Sequence, residues 1–135
     1  MTELGLNLTL ESNLKNIAEV ETYVQQVFKE FRIDESLFGN ILIAITEAVS
    51  NAIIHGNQAK SNKKVHIITV VASNKVSFTI EDEGTGFNPH NLPDPTAPEN
   101  LLTPGGRGVF LMQQLSDKVT FSEGGSIVQL EFYFS

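Results

Sequence analysis

The sequence contains no cysteine. This excludes disulfides and thiolate metal sites, and it is compatible with a reducing cytosol. Basic residues are scarce: 9 Lys and Arg stand against 16 Asp and Glu, a formal net charge of -7. Broad nucleic-acid binding needs a basic footprint, so no direct nucleic-acid contact is expected. No apolar run approaches the roughly 20 residues of a membrane span. The start, Met1-Thr2-Glu3-Leu4-Gly5, has no basic segment ahead of an apolar stretch. No signal peptide is visible, and a cytoplasmic protein away from membranes is expected. There is no internal repeat and no low-complexity tract. Both standard nucleotide motifs are missing: no G-x-x-x-x-G-K-[ST] occurs, and Gly106-x-Gly108 lacks the third glycine and the preceding strand of a dinucleotide fingerprint.

What remains is an ordinary globular composition. The chain has 135 residues and is 41% apolar, enough for one domain with a real core. Leu4, Leu6, Leu8 and Leu10 alternate with small or polar residues, which predicts a half-buried strand. Ser12 is placed to cap a first helix over about 13–31, whose apolar face runs from Leu14 to Phe31. Asp34 is placed to cap a second helix over about 35–55. Val65–Ala72 is nearly all apolar on both faces, as a central strand would be. It turns at Ser73-Asn74 into a strand over 75–82, where Val76, Phe78, Ile80 and Asp82 share a face. All five prolines fall between Pro89 and Pro104, in a long irregular loop of the kind that is functional or disordered. A third helix over about 108–116 and a hairpin turning at Gly124-Gly125 complete the chain. The order β-α-α-β-β-loop-α-β-β predicts a two-layer α/β sandwich: a mixed, mostly antiparallel sheet covered on one face by about three helices.

Three places carry candidate chemistry. On the apolar second helix, Glu47, Asn51 and His55 recur at i, i+4 and i+8 and so share a face. Buried polar groups are costly unless bonded, so this stripe is either a solvated edge ending in a satisfied cap before Gly56, or a functional face. At the strand end, Asp82-Glu83-Gly84-Thr85-Gly86-Phe87 reads either as a plain turn or as an inward carboxylate beside glycines that let a planar ligand approach. Gly105-Gly106-Arg107-Gly108 reads either as a loop-to-helix junction or as bare amides at a helix N-terminus, with an arginine for phosphate.

Taken together and in this order, the three resemble the motifs of the histidine-kinase-like, gyrase-like and Hsp90-like ATPases, the Bergerat fold. Glu47-x-x-x-Asn51-Ala52-x-x-His55-Gly56 resembles the N-box, Asp82-x-Gly84-x-Gly86-Phe87 the adenine-binding box, and Gly106-x-Gly108 the second glycine box after the ATP lid. The likeness covers nearly the whole chain, 1–135, with the lid at about 88–105. Within that superfamily, Thr46–Gly56 and Gly106–Met112 are similar to the anti-sigma-factor serine kinases. The resemblance implies ATP and Mg²⁺ as cofactors. It implies Asn51 as Mg²⁺ ligand, Glu47 as general base, and Asp82 reading the adenine amine with Gly84, Gly86 and Ser126 nearby. Gly106, Arg107 and Gly108 would hold the phosphates, and His55 would either support a neighbouring site residue or simply pack the helix end, with packing the preferred expectation. It implies an anti-sigma-factor antagonist protein as substrate, a sigma factor as a further partner, and a homodimer with the Leu4–Leu10 strand as one candidate seam. From Asn88 to Gly106 there is no Lys or Arg, so an ATP-gated binding module without catalysis is the alternative expectation.

Overall fold

The computed structural model describes residues 4–60, 62–84 and 104–134. Strand β1 (Leu4–Glu11) leads through a short 3-10 turn (Leu14–Ile17) into helix α1 (Ala18–Phe31). A second 3-10 turn (Glu35–Leu37) runs into helix α2 (Phe38–Asn51), which continues as a π turn over Ala52–Gly56. Strands β2 (Lys64–Val71) and β3 (Lys75–Glu81) follow, then helix α3 (Pro104–Leu115), β4 (Lys118–Ser122) and β5 (Ile127–Tyr133).

The strands form one sheet in the order β1-β2-β3-β5-β4. All four pairings are antiparallel, so the expected two-layer fold is present with a sheet more uniform than the mixed one anticipated. Strand β1, the candidate dimer seam, lies at one edge of the sheet. Strand β2 is interior, yet only one of its faces is buried: Val65, Ile67, Thr69 and Val71 are covered while His66, Ile68 and Val70 are half-exposed. The run is nearly all apolar on both sides, but helices cover only the inner one.

The inner face packs Ile67, Phe78, Ile80, Leu130 and Phe132 against Val20, Val24 and Val27 of α1 and Ile41, Ile45 and Val49 of α2 in a single core. Phe78 and Phe132 meet edge to face with ring centroids 6.1 Å apart, a favoured aromatic geometry. Thr69 is the one polar side chain in the inner row of β2, and Tyr23 of α1 satisfies it through a hydroxyl contact while donating to Leu6 O at 3.0 Å. Burial is the larger influence on the Tyr23 phenol and pushes its pKa up, with the Thr69 contact opposing.

The caps divide. Asp34 accepts from Ser36 N–H at 3.0 Å, as expected. Ser12 caps nothing: Asn13 accepts from Lys15 N–H instead, while Ser12 is buried and donates to Lys63 O at 2.7 Å. The helical run Glu35–Gly56 has 22 residues and a mean hydropathy of 1.7, long and apolar enough to cross a membrane by length and composition. That departs from the expectation of no such segment. Its Ile41, Ala44, Ile45, Ala48, Val49 and Ile53 are buried in the same core as the sheet, which accounts for its apolarity.

Candidate active site

The C-terminal end of α2 gathers the candidate residues. Glu47 is half-buried, and Asn51 is 6% exposed with an Nδ2 that has no hydrogen-bond partner among the described residues. A buried amide NH₂ without a partner is rare, and as a donor it suits an acceptor such as a phosphate oxygen or an ordered water. His55, four residues on, is exposed rather than packed at the helix end as preferred from the sequence. After Asn51 the helix widens, and Asn57 N–H bonds to Ala52 O, five residues back, at 2.8 Å. Such π turns inside helices are frequent at functional sites.

Gly108 faces the pair. A Cβ there would lie 3.1 Å from Glu47 Oε2, 3.2 Å from Asn51 Nδ2 and 3.3 Å from Asn51 Oδ1. Helix α3 begins at Pro104 rather than near 108. Proline suits a first helical turn, where its missing N–H is no loss. The glycine box is therefore part of the helix and not the loop before it. The amides of Gly105 and Gly106 fall in the first turn, where helix N–H groups lack intrahelical partners. Arg107 lies in the same turn of backbone.

Asp82 meets the same C-terminal end of the helix, at Gly56. Its N–H bonds to Ser126 O at 2.9 Å, closing the end of the β3–β5 ladder. Its Oδ1 accepts from Gly84 N–H at 2.9 Å. A Cβ on Gly56 would sit 2.2 Å from Asp82 Oδ2, and one on Gly84 would sit 1.6 Å from Gly56 O. Two glycines thus let the Asp82 turn press against the helix end. Ser126 contributes its carbonyl to Asp82, while its hydroxyl donates to Glu123 O at 2.9 Å. Gly86 and the lid over 88–103 lie outside the described residues.

Burial pushes the Asp82 carboxyl above its ordinary value, against the opposing pull of the Gly84 N–H and the Lys63 charge. An acid whose pKa rises on folding stabilises the fold while protonated, and that contribution is lost as pH climbs through the folded value. Ionising Asp82 in the folded chain therefore carries a cost. Asp82→Asn is expected to raise Tm at pH 7, with the gain vanishing at pH below the ordinary carboxylate value. Thermal melts across pH check this, and a fall in Tm at pH 7 refutes it.

Asn57, which the sequence places in a polar loop, is 1% exposed and fully bonded. Its Nδ2 donates to Ser12 Oγ at 2.7 Å and Lys64 O at 2.9 Å, and its Oδ1 accepts from Glu83 N–H at 2.7 Å. Glu83 in turn accepts from Lys64 N–H at 2.9 Å and pairs with His66 Nε2 at 3.2 Å. The Lys64 N–H first, and His66 second, hold the Glu83 carboxyl below its usual value. The only sequence signal for Asn57 is its place directly after the helix-ending Gly56.

One helix end therefore carries both contacts. Gly108 lies on Glu47 and Asn51, and Asp82 and Gly84 lie on Gly56, five residues or roughly 7 Å of helix further on. Among the described residues no group of three or more His, Cys, Asp or Glu could hold a metal ion. The oxygens on offer, the Asn51 amide and the Glu47 carboxylate, are hard donors that suit Mg²⁺, which takes one or two protein ligands beside phosphate and water.

Comparison with known proteins gives the family. A family model described as the histidine kinase-like ATPase domain matches residues 10–132. A serine-protein kinase RsbW of Staphylococcus aureus (strain bovine RF122 / ET3-1) is 32% identical over 99 residues, covering 67% of this chain and 62% of that relative. The serine-protein kinase RsbW of strain JH9 is 34% identical over 101 residues, with the same coverage. The chain thus spans less than two thirds of the length of these relatives.

Proposed function

The chain belongs to the histidine kinase-like ATPase family, and from that premise we propose that it is an ATP-dependent protein-serine kinase. Its substrate is a serine of a small anti-sigma-factor antagonist protein, and it also sequesters a sigma factor, so that phosphorylation switches partners and regulates transcription. The observation that carries this reading is the meeting of Gly108 with Glu47 and the partnerless amide of Asn51 on the same helix whose Gly56 touches Asp82. The likeness to the serine-protein kinases named above supports the choice of serine.

In this reading Asp82 accepts a hydrogen bond from the adenine amine, with Gly84, Gly86 and Ser126 around it. Gly106, Arg107 and Gly108 hold the phosphates. Asn51 holds Mg²⁺ through its amide oxygen, and the ion, when bound, offsets phosphate charge. Glu47 takes the proton of the incoming serine hydroxyl as general base. The whole chain, 1–135, is one such domain with its lid at about 88–105. The protein works in the cytoplasm as a homodimer, with the β1 edge as a candidate seam.

A second reading is an ATP-gated binding module without catalysis. The absence of Lys and Arg from Asn88 to Gly106 favours it, because phosphoryl transfer depends on neutralising charge. One assay separates the two: incubation with γ-labelled ATP, Mg²⁺ and an antagonist protein encoded beside this gene. Label on an antagonist serine is expected. ATP binding without label rejects the kinase reading and leaves the binding module.

A further inference from the structure

We infer that Asn57 is a positioning residue for purine selectivity: by holding the Glu83 N–H it fixes the Asp82–Glu83 peptide and so aims the Asp82 carboxylate. This rests on the proposed role of Asp82 in reading adenine. Strand β3 ends at Glu81, and the bond from Asp82 N–H to Ser126 O is the last that ties this backbone to the sheet. The next amide, Glu83 N–H, is held by Asn57 Oδ1 at 2.7 Å. That amide belongs to the peptide directly after Asp82, so rotating it turns the Asp82 Cα and swings the side chain.

Asn57 is suited to this hold. It is buried, its own N–H is fixed to Ala52 O at 2.8 Å, and its carbonyl accepts from Lys60 N–H at 3.1 Å. Both Nδ2 protons are used, on Ser12 Oγ and Lys64 O. The amide cannot flip without placing its NH₂ against the Glu83 N–H and its oxygen against the Lys64 carbonyl. Aspartate lacks the two donors. The chemistry at stake is a single position of the purine ring: adenine presents an amino donor where guanine presents a carbonyl acceptor. A carboxylate, which only accepts, favours the first and repels the second, provided it points there.

The test is calorimetry of the full chain with Mg-ATP and Mg-GTP. Wild type is expected to favour ATP. Asn57→Ala is expected to shrink the ATP-to-GTP affinity ratio by at least about tenfold. Ser12→Ala removes a different bond of the same amide and leaves Glu83 N–H on Oδ1, so it lowers Tm yet keeps the ratio within about twofold. A ratio in Asn57→Ala equal to that in Ser12→Ala makes Asn57 merely structural and overturns the inference alone. A wild type that binds neither nucleotide overturns the ATP reading, and this inference with it. Should Asn57→Ala not fold, hydrogen exchange on wild type decides: the Glu83 amide is expected to exchange at least about 100-fold slower than an open chain, and an unprotected amide overturns the inference.

Discussion

Gly84→Ala is expected to lower Tm by roughly 5–15 °C and to weaken ATP binding at least about tenfold. The added Cβ would lie 1.6 Å from Gly56 O, 2.4 Å from Gly56 C and 3.2 Å from Asn57 N. All three atoms are backbone, so no side chain can rotate out of the way. Either the end of α2 shifts or the Asp82 turn lifts off it. The first breaks the π turn closed by Asn57 N–H on Ala52 O, and the second removes Gly84 N–H from Asp82 Oδ1. The stability loss and the binding loss therefore have one cause. Gly39→Ala is the control: that glycine lies in the first turn of α2, and a Cβ added there would meet nothing within 4 Å. Alanine at that position is expected to be neutral or stabilising by up to about 1 kcal/mol. Melts and calorimetry on the two variants check both expectations, and a Gly84→Ala protein that melts and binds like wild type refutes the close approach.

The contrast shows which parts of the site a linear sequence can reveal. Glu47 and Asn51 are readable because a four-residue spacing on an apolar helix puts two side chains on one face wherever the helix sits. The two-layer fold is readable for a similar reason, since period-2 and period-3.6 patterns are local. His55 is exposed at the helix end, and the π turn that follows Asn51 leaves no mark in the apolar pattern. The start of α3 is missed by four residues because Gly105, Gly106 and Gly108 read as helix breakers, although Pro104 is a good first residue. Asn57 is missed for a deeper reason. Its partners Glu83 and Ser12 are 26 and 45 residues away, and an asparagine that bonds across such distances looks in sequence like any loop asparagine. Ser12, which reads as a cap on local grounds, is drawn into the same long-range network.

Glu47→Ala is expected to leave ATP affinity within a few-fold of wild type while lowering phosphotransfer by about 10²–10⁴, the usual contribution of a general base. The side chain is half-buried, and its Oε2 lies 3.1 Å from the Cβ position of Gly108, beside Asn51 and remote in sequence from Asp82. Truncation leaves the groups assigned to adenine and phosphate in place. The binding term and the chemical term therefore separate: Kd stays while kcat falls, the pattern of an interaction made only in the transition state. Glu47→Gln sharpens the point, because it keeps the shape and removes only the ability to take a proton. Equal losses in both variants assign the effect to the base. A loss in Glu47→Ala that Glu47→Gln restores assigns it to orientation of the serine hydroxyl instead. Transfer that survives in both removes Glu47 from the mechanism and returns the Glu47–Asn51 face to nucleotide binding alone.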